Sequence, residues 1–246
     1  MLGAGPLPTD IYIDLVHQGS SPAYSKIRND TFRTLTTDPR FRTKVSENSL
    51  TRVLNAAAWK LHDAHEARMN GWMSPPTLST HGDATNNPAS PDTTFHSLAS
   101  TDGSQAGDVK AEPYVGYVQG MNVLAAPFLY AAKSEAEAFA AFDTLIRNEC
   151  PGYITASMSG VHKGLALVDQ VLSICDPKLS THLRAKGMTA SIYAFPSVLT
   201  LCACTPPLPE VLVLWDFLFA YGVHLNLLCI VAQLVLIRDQ ILGAER

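Results

Sequence analysis

Apolar positions recur along this chain at helical spacing. Ser46 precedes Leu50, Val53, Leu54, Ala57 and Leu61, an i, i+3, i+4, i+7 stripe with a capping hydroxyl ahead of it. Ser134-Glu135-Ala136-Glu137 is a capping box, followed by Phe139, Phe142, Leu145 and Ile146 on one face. Val161, Leu165, Val168 and Leu172 mark the next helix, and Asp176-Pro177 supplies an N-cap and N1 proline for a short helix that Gly187 terminates. Pro206-Pro207 and Pro209 punctuate the chain before a helix over Glu210 to Tyr221, and a final helix is predicted from about Leu225 to Leu242. No alternating strand pattern and no internal repeat breaks the series. The pattern predicts an all-α fold.

Two stretches depart from it. Residues 68–113 are rich in Ser, Thr, Asn, Asp, Gly and Pro with scattered apolar residues, a composition that buries too little surface to offset ordering entropy and that predicts a disordered insertion. Phe217 to Ile237 contains no Asp, Glu, Lys or Arg over 21 residues, long enough to span a bilayer. His224, Asn226 and Gln233 lie within it, Gly222 interrupts it, and Asp216 and Arg238 bracket it. It is read as two buried helices joined at Gly222 to Asn226, with no membrane span.

Composition narrows the classes. The 246 residues suit one domain, and 47% hydrophobic content promises a sizeable core. A net charge of −4 with no long basic run argues against a general nucleic-acid surface. Met1 to Pro8 lacks the basic and apolar regions of a signal peptide. The five cysteines sit mostly in apolar stretches and read as reduced core residues of a cytoplasmic protein. Cys202-Ala203-Cys204 and the His62, His65 pair lack a second ligand pair at metal-binding spacing.

Two short polar motifs carry the chemistry. The first is Ile27-x-x-Asp30-x-x-Arg33; the second is Tyr117-x-Gln119-Gly120-Met121-Asn122. Arg33 offers a permanent planar cation, and Gln119 a neutral amide that donates and accepts at once. Triphosphate hydrolysis is accelerated by such a pair, a cation for charge developing on the phosphoryl oxygens and an amide that orients the attacking water. No phosphate-binding loop accompanies them, which suggests action on a partner's nucleotide. Asp30, three residues before Arg33, is placed to orient its guanidinium. Tyr117 is expected to pack behind the Gln119 loop, Gly120 to permit a close backbone approach, and Asn122 to hold the turn.

Together with Val211-Leu212-Val213-Leu214-Trp215-Asp216, these motifs resemble the signature elements of the TBC domain, a family of activators of Rab-type small GTPases. Lys26 to Leu35, Tyr117 to Tyr130 and Ile192 to Leu225 are most similar to its fungal mitotic-exit or septation checkpoint branch. The resemblance implies a two-lobed helical domain over 1–246 with its core at about 24–242. It also implies an arginine finger at Arg33 and a glutamine finger at Gln119, both entering the GTPase in trans. Such a chain has no catalytic centre or cofactor of its own, because Mg-GTP belongs to the partner, a Ras- or Rab-like GTPase. The branch further implies a scaffold partner, a place at the spindle pole body or cytoskeleton, and a role in restraining mitotic exit or septation. Trp215 and Asp216 are expected to be structural, with Asp216 bonding another helix terminus. Tyr193-Ala194-Phe195-Pro196 departs from the family's Trp-Phe, and Leu201-Cys202 stands where members carry Phe. The family domain usually continues past the position of Arg246, so the C-terminal lobe is expected to be shortened. A non-catalytic GTPase-binding module is the rival expectation.

Overall fold

The computed structural model describes residues 9–70 and 116–243, and the described residues are helical with no strand. Most of the stretch expected to be an insertion, from residue 71 onward, lies outside them. In chain order the helices are α1 (Thr9–His17), α2 (Tyr24–Thr31), α3 (Pro39–Lys44), α4 (Glu47–Met69), α5 (Met121–Ala131), α6 (Glu135–Thr144), α7 (Ser159–Cys175), α8 (Pro177–Ala185), α9 (Ala190–Tyr193), α10 (Phe195–Leu199), α11 (Leu208–Tyr221), α12 (Asn226–Leu236) and α13 (Arg238–Gly243).

Two apolar cores form. The first gathers α1 to α6 with the inner face of α11 around α4. Ser46 caps α4 by accepting the Ser49 N–H at 3.0 Å, and Leu50, Val53, Leu54 and Ala57 are buried as their spacing predicts. Ala56 and Ala58 are buried too, and these small side chains let α5 and α6 approach the α4 backbone. Phe139, Phe142, Leu145 and Ile146 are all fully enclosed, although the chain widens into a π turn at Leu145–Glu149 after α6. Each enclosed phenylalanine contributes about 1.5–3 kcal/mol of apolar burial. The second core packs α7 against α8, α9, α10 and α12 through Val161, Leu165, Val168 and Leu172. Tyr153 and Leu214 touch both cores.

Helix boundaries differ from the sequence pattern where distant side chains intervene. α1 precedes the expected start of the core at about 24, yet Tyr12 and Leu15 are buried in the first core. The Tyr12 hydroxyl donates to Glu135 Oε2 at 2.6 Å, a carboxylate also held by Arg52. α4 runs on to Met69, two residues into the expected insertion. α11 begins at Leu208 rather than Glu210, because Pro209 costs no hydrogen bond in a first turn and the Leu208 N–H finds Asp38 Oδ2 at 2.8 Å.

The apolar run from Phe217 to Ile237 divides at Gly222, whose φ of 120° no residue with a Cβ adopts easily. None of the described helices is long and apolar enough to cross a membrane. The single final helix expected from Leu225 to Leu242 is two, α12 and α13, breaking at Ile237. Arg238 there bonds Asp176 Oδ2 at 2.5 Å and ties α13 to the start of α8.

Asp38 joins distant parts of the first core. Its Oδ1 accepts the N–H groups of Arg40 (2.9 Å) and Phe41 (3.1 Å), and its Oδ2 caps α11. Burial alone would raise its pKa, but the bonds from Leu208, Phe41 and Arg40 outweigh it and hold the carboxyl below its ordinary value. A depressed folded pKa stabilises the fold above the unfolded value of about 3.9 and loses that contribution as pH falls through the folded one. Asp38→Ala should therefore lower unfolding free energy by about 1–3 kcal/mol in urea titration at neutral pH. The deficit should begin to shrink below about pH 4 and vanish only below the depressed folded pKa, where folded wild type also loses the charge.

Candidate functional site

α2 buries Ile27, Asp30 and Thr31 on one side and ends at Thr31. Arg33 lies just beyond, in a tight turn closed by Arg33 N–H to Asp30 O (3.3 Å) and Thr34 N–H to Thr31 O (3.1 Å). Its side chain is 55% exposed, whereas that of Asp30 is 7% exposed. Arg33 Nη2 bonds Asp30 Oδ1, so one of the five guanidinium donors is committed and four make no hydrogen bond among the described residues.

The second motif forms the turn that starts α5. Gly120 is the N-cap at φ 107°, and a Cβ there would fall 2.6 Å from Leu199 Cδ2. Only glycine meets both conditions, the left-handed backbone and the contact with α10. Gln119 is exposed at the tip. Asn122, one turn in, is buried and caps backward, its Oδ1 accepting the Gly120 N–H at 3.1 Å.

The two turns are stitched together by buried polar groups. The Tyr117 hydroxyl donates to Asp30 Oδ2 at 2.9 Å, with Asn122 Oδ1 also within reach at 3.2 Å. Asn122 Nδ2 donates to Thr34 Oγ1 at 2.9 Å, and Thr34 Oγ1 donates to Asp30 O at 2.9 Å. Rotating the Asn122 amide would set two donors against each other at Gly120 N, so its orientation is determined. Burial first, then the hydrogen bond and charge of Asp30, push the Tyr117 phenol well above its ordinary pKa. Tyr117 therefore remains a donor to Asp30 across the neutral range. The result is a buried circuit beside two exposed residues: Arg33, bonded to it through Asp30, and Gln119, its neighbour in the chain at Gly120.

Asp30, Tyr117, Gly120 and Asn122 are thus brought together with Arg33 and Gln119. Trp215 lies apart from this circuit: it is buried, its Nε1 donates to Leu201 O at 2.8 Å, and its ring tilts against Phe128 at 5.1 Å. Asp216 differs from expectation. It is exposed and makes no hydrogen bond among the described residues, because one helical step from Trp215 turns it outward. The aspartate that caps α11 is Asp38. Its signal was present in the sequence, since Asp38-Pro39 repeats the Asp176-Pro177 cap pattern. Thr34 carried no comparable signal, because its role depends on Asn122 across 88 positions.

The model for the Rab-GTPase-TBC domain family matches residues 109–242, more than half of the chain. The chain belongs to this family. The matched stretch includes Gln119 and Trp215-Asp216 but begins after Arg33. Over 98% of its length the chain is 43% identical to cell division control protein 16 of Schizosaccharomyces pombe, covering 64% of that protein. It is 37% identical to the mitotic check point protein BUB2 of Saccharomyces cerevisiae, covering 96% of this chain and 65% of that one. The TBC chain thus spans just under two thirds of these relatives. A flagellar RabGAP TBC domain from Chlamydomonas shares the fold with a TM-score of 0.63 at 20% identity, over 94% of this chain and 61% of that structure. The Ypt/Rab-GAP domain of Gyp1p gives 0.63 at 18%, over 94% and 67%.

The TBC circuit is testable without any partner. Tyr117→Phe leaves a buried carboxylate oxygen short of a donor and should cost about 1–3 kcal/mol in chemical denaturation. Asp216→Ala, at an exposed position, should stay within about 0.5 kcal/mol of wild type.

Proposed function

We propose that this TBC chain stimulates GTP hydrolysis by a Ras- or Rab-like small GTPase, inserting Arg33 and Gln119 beside the partner's nucleotide. The observation that carries the reading is the shared buried circuit, which leaves an exposed cation and an exposed amide on adjoining turns. Asp30 positions the guanidinium in advance, so less side-chain freedom is lost on docking, and the uncommitted donors can meet charge that builds on the phosphoryl oxygens. Gln119 orients the attacking water with its carbonyl and offers its amide N–H to the same phosphate. GTP and its Mg²⁺ are held by the partner, and the TBC chain supplies no nucleophile.

The names of the relatives, cell division control and mitotic check point, support a role in restraining mitotic exit or septation. A scaffold partner and a place at the spindle pole body or cytoskeleton accompany that reading, as does a single TBC domain with an insertion at 68–113.

Single-turnover GTP hydrolysis by Ras-like and Rab-like GTPases tests the mechanism. Arg33→Ala should lower the stimulated rate by about 10³–10⁵-fold. Arg33→Lys should remain severely impaired, because an ammonium keeps the charge and loses the planar fork. Gln119→Ala should cost about 10²-fold, the scale of deleting one pre-positioned donor. Full stimulation by both alanine variants would refute the two-finger mechanism. GTPase binding by wild type without stimulation would identify a docking module instead.

A further inference from the structure

Charge is unevenly placed in this chain. Between Lys26 and Lys44 stand six cations (Lys26, Arg28, Arg33, Arg40, Arg42 and Lys44) and two carboxylates, net +4 within a chain of net −4. All six cations are exposed. Both carboxylates are turned inward: Asp30 is 5% exposed and holds Tyr117 and Arg33, while Asp38 is 2% exposed and caps α3 and α11. The surface of this segment is therefore more positive than its composition. Among the other described residues 10 cations stand with 14 carboxylates, a net −4 that repels an acidic partner from the rest of that surface.

These cations have little internal work. Arg52, Lys60, Arg147 and Arg238 each hold a carboxylate that ties two elements or one turn together. Lys26, Arg28, Arg40 and Arg42 hold none among the described residues, and Lys44 only overlies the Tyr130 ring at 4.6 Å. Apolar surface lies among them. Phe32, adjacent to Arg33, is 64% exposed. Beside it is a cavity of about 250 Å³ lined by Phe32, Thr34, Phe41, Arg42 and Val45, with one carboxylate, Glu47, also on its wall.

We infer that α2, the Arg33 turn and α3 form an electropositive docking face for an acidic protein surface, with Phe32 and the Arg42-rimmed cavity as its apolar centre. The inference rests on the GTPase-activating reading, and the acidic surface is that of the GTPase bordering its nucleotide pocket. Three features favour a protein over an anionic membrane. The face is continuous with Arg33, so docking there delivers the finger. The cavity suits a protruding side chain, which a lipid surface does not offer. The remaining negative charge orients an approaching acidic protein toward this one face, and steering of this kind raises association rates by about 10–10³-fold.

The test is stimulated GTP hydrolysis by the full chain, with GTPase concentration varied and salt raised from about 50 to 200 mM. Arg28→Glu, Arg40→Glu and Arg42→Glu combined should lower kcat/KM by about tenfold, through KM, and flatten its salt dependence. kcat at saturation and the thermal melt should match wild type. The corresponding Arg→Gln set should move in the same direction by less, and it serves if the reversed set folds poorly. Phe32→Ala should raise KM while leaving the salt slope intact. A reversed set with wild-type KM and salt slope would overturn the docking face. Loss of sedimentation with phosphatidylserine vesicles at unchanged KM would assign the patch to lipid and overturn it equally. If wild type stimulates no GTPase, the activation reading fails. The face is then judged by direct GTPase binding: affinity must drop about tenfold in the reversed set, and an unchanged affinity overturns it.

Discussion

Asp30 is a carboxylate taken almost wholly out of water, and its two oxygens reach in different directions. One meets Arg33, three residues on, and the other meets Tyr117, 87 residues on. An isolated buried charge is costly, while a fully partnered one is tolerated. Displacing either turn would leave that charge unmet, so the positions of the two turns are set by each other. Asn122 tightens the constraint, since one amide caps its own helix with the oxygen and reaches Thr34 with the nitrogen. The backbone of both turns is held by this circuit, because each turn supplies buried polar groups that the other satisfies.

The circuit belongs to the first core, but the second core presses on it. Leu199 is buried among α7, α10 and α12 and abuts the Gly120 backbone, where no side chain fits. Just after α10 the Leu201 carbonyl accepts the Trp215 indole N–H, and Trp215 packs on Phe128 of α5. The Gln119 turn is thus bounded by α5 beneath, the Asp30 circuit on one flank and α10 on the other. On the opposite motif, Asp38 closes the run that follows Arg33 by capping α11 across 170 positions. The turns that carry Arg33 and Gln119 both border buried capping groups, Asp38 after the first and Asn122 within the second, which fixes the backbone of each.

Surface charge follows from the same economy. The two carboxylates of the α2–α3 segment are the ones that internal capping and circuit formation consume, so five of its six cations, all but Arg33, make no ion pair among the described residues. Structural needs and surface potential are in this way coupled: what rigidifies the turns also makes their face positive.

Much of this was legible in the sequence. Stripes such as Leu50-Val53-Leu54-Ala57 and Val161-Leu165-Val168-Leu172 specify helices with one buried face, because local spacing decides which side chains can share a surface. Caps at Ser46, Ser134 and Asp176 are local as well, each satisfied within a few residues. The residue types at Arg33 and Gln119, and the glycine between Gln119 and α5, are likewise chemical facts of the chain. Tertiary structure alone decided the long-range partners. Asp216, beside Trp215 in sequence, faces solvent instead of bonding another helix terminus, and the start of its own helix is capped by Asp38. The last helix breaks at Ile237, and Thr34 becomes part of the site through Asn122. Hydrogen bonds between groups 87 or 170 positions apart leave no periodic trace, since they depend on where packed helices bring their ends. The sequence by itself determined which groups were available for chemistry and which segments would be helices. Packing of those helices decided which groups would meet, and so made two separate motifs one site.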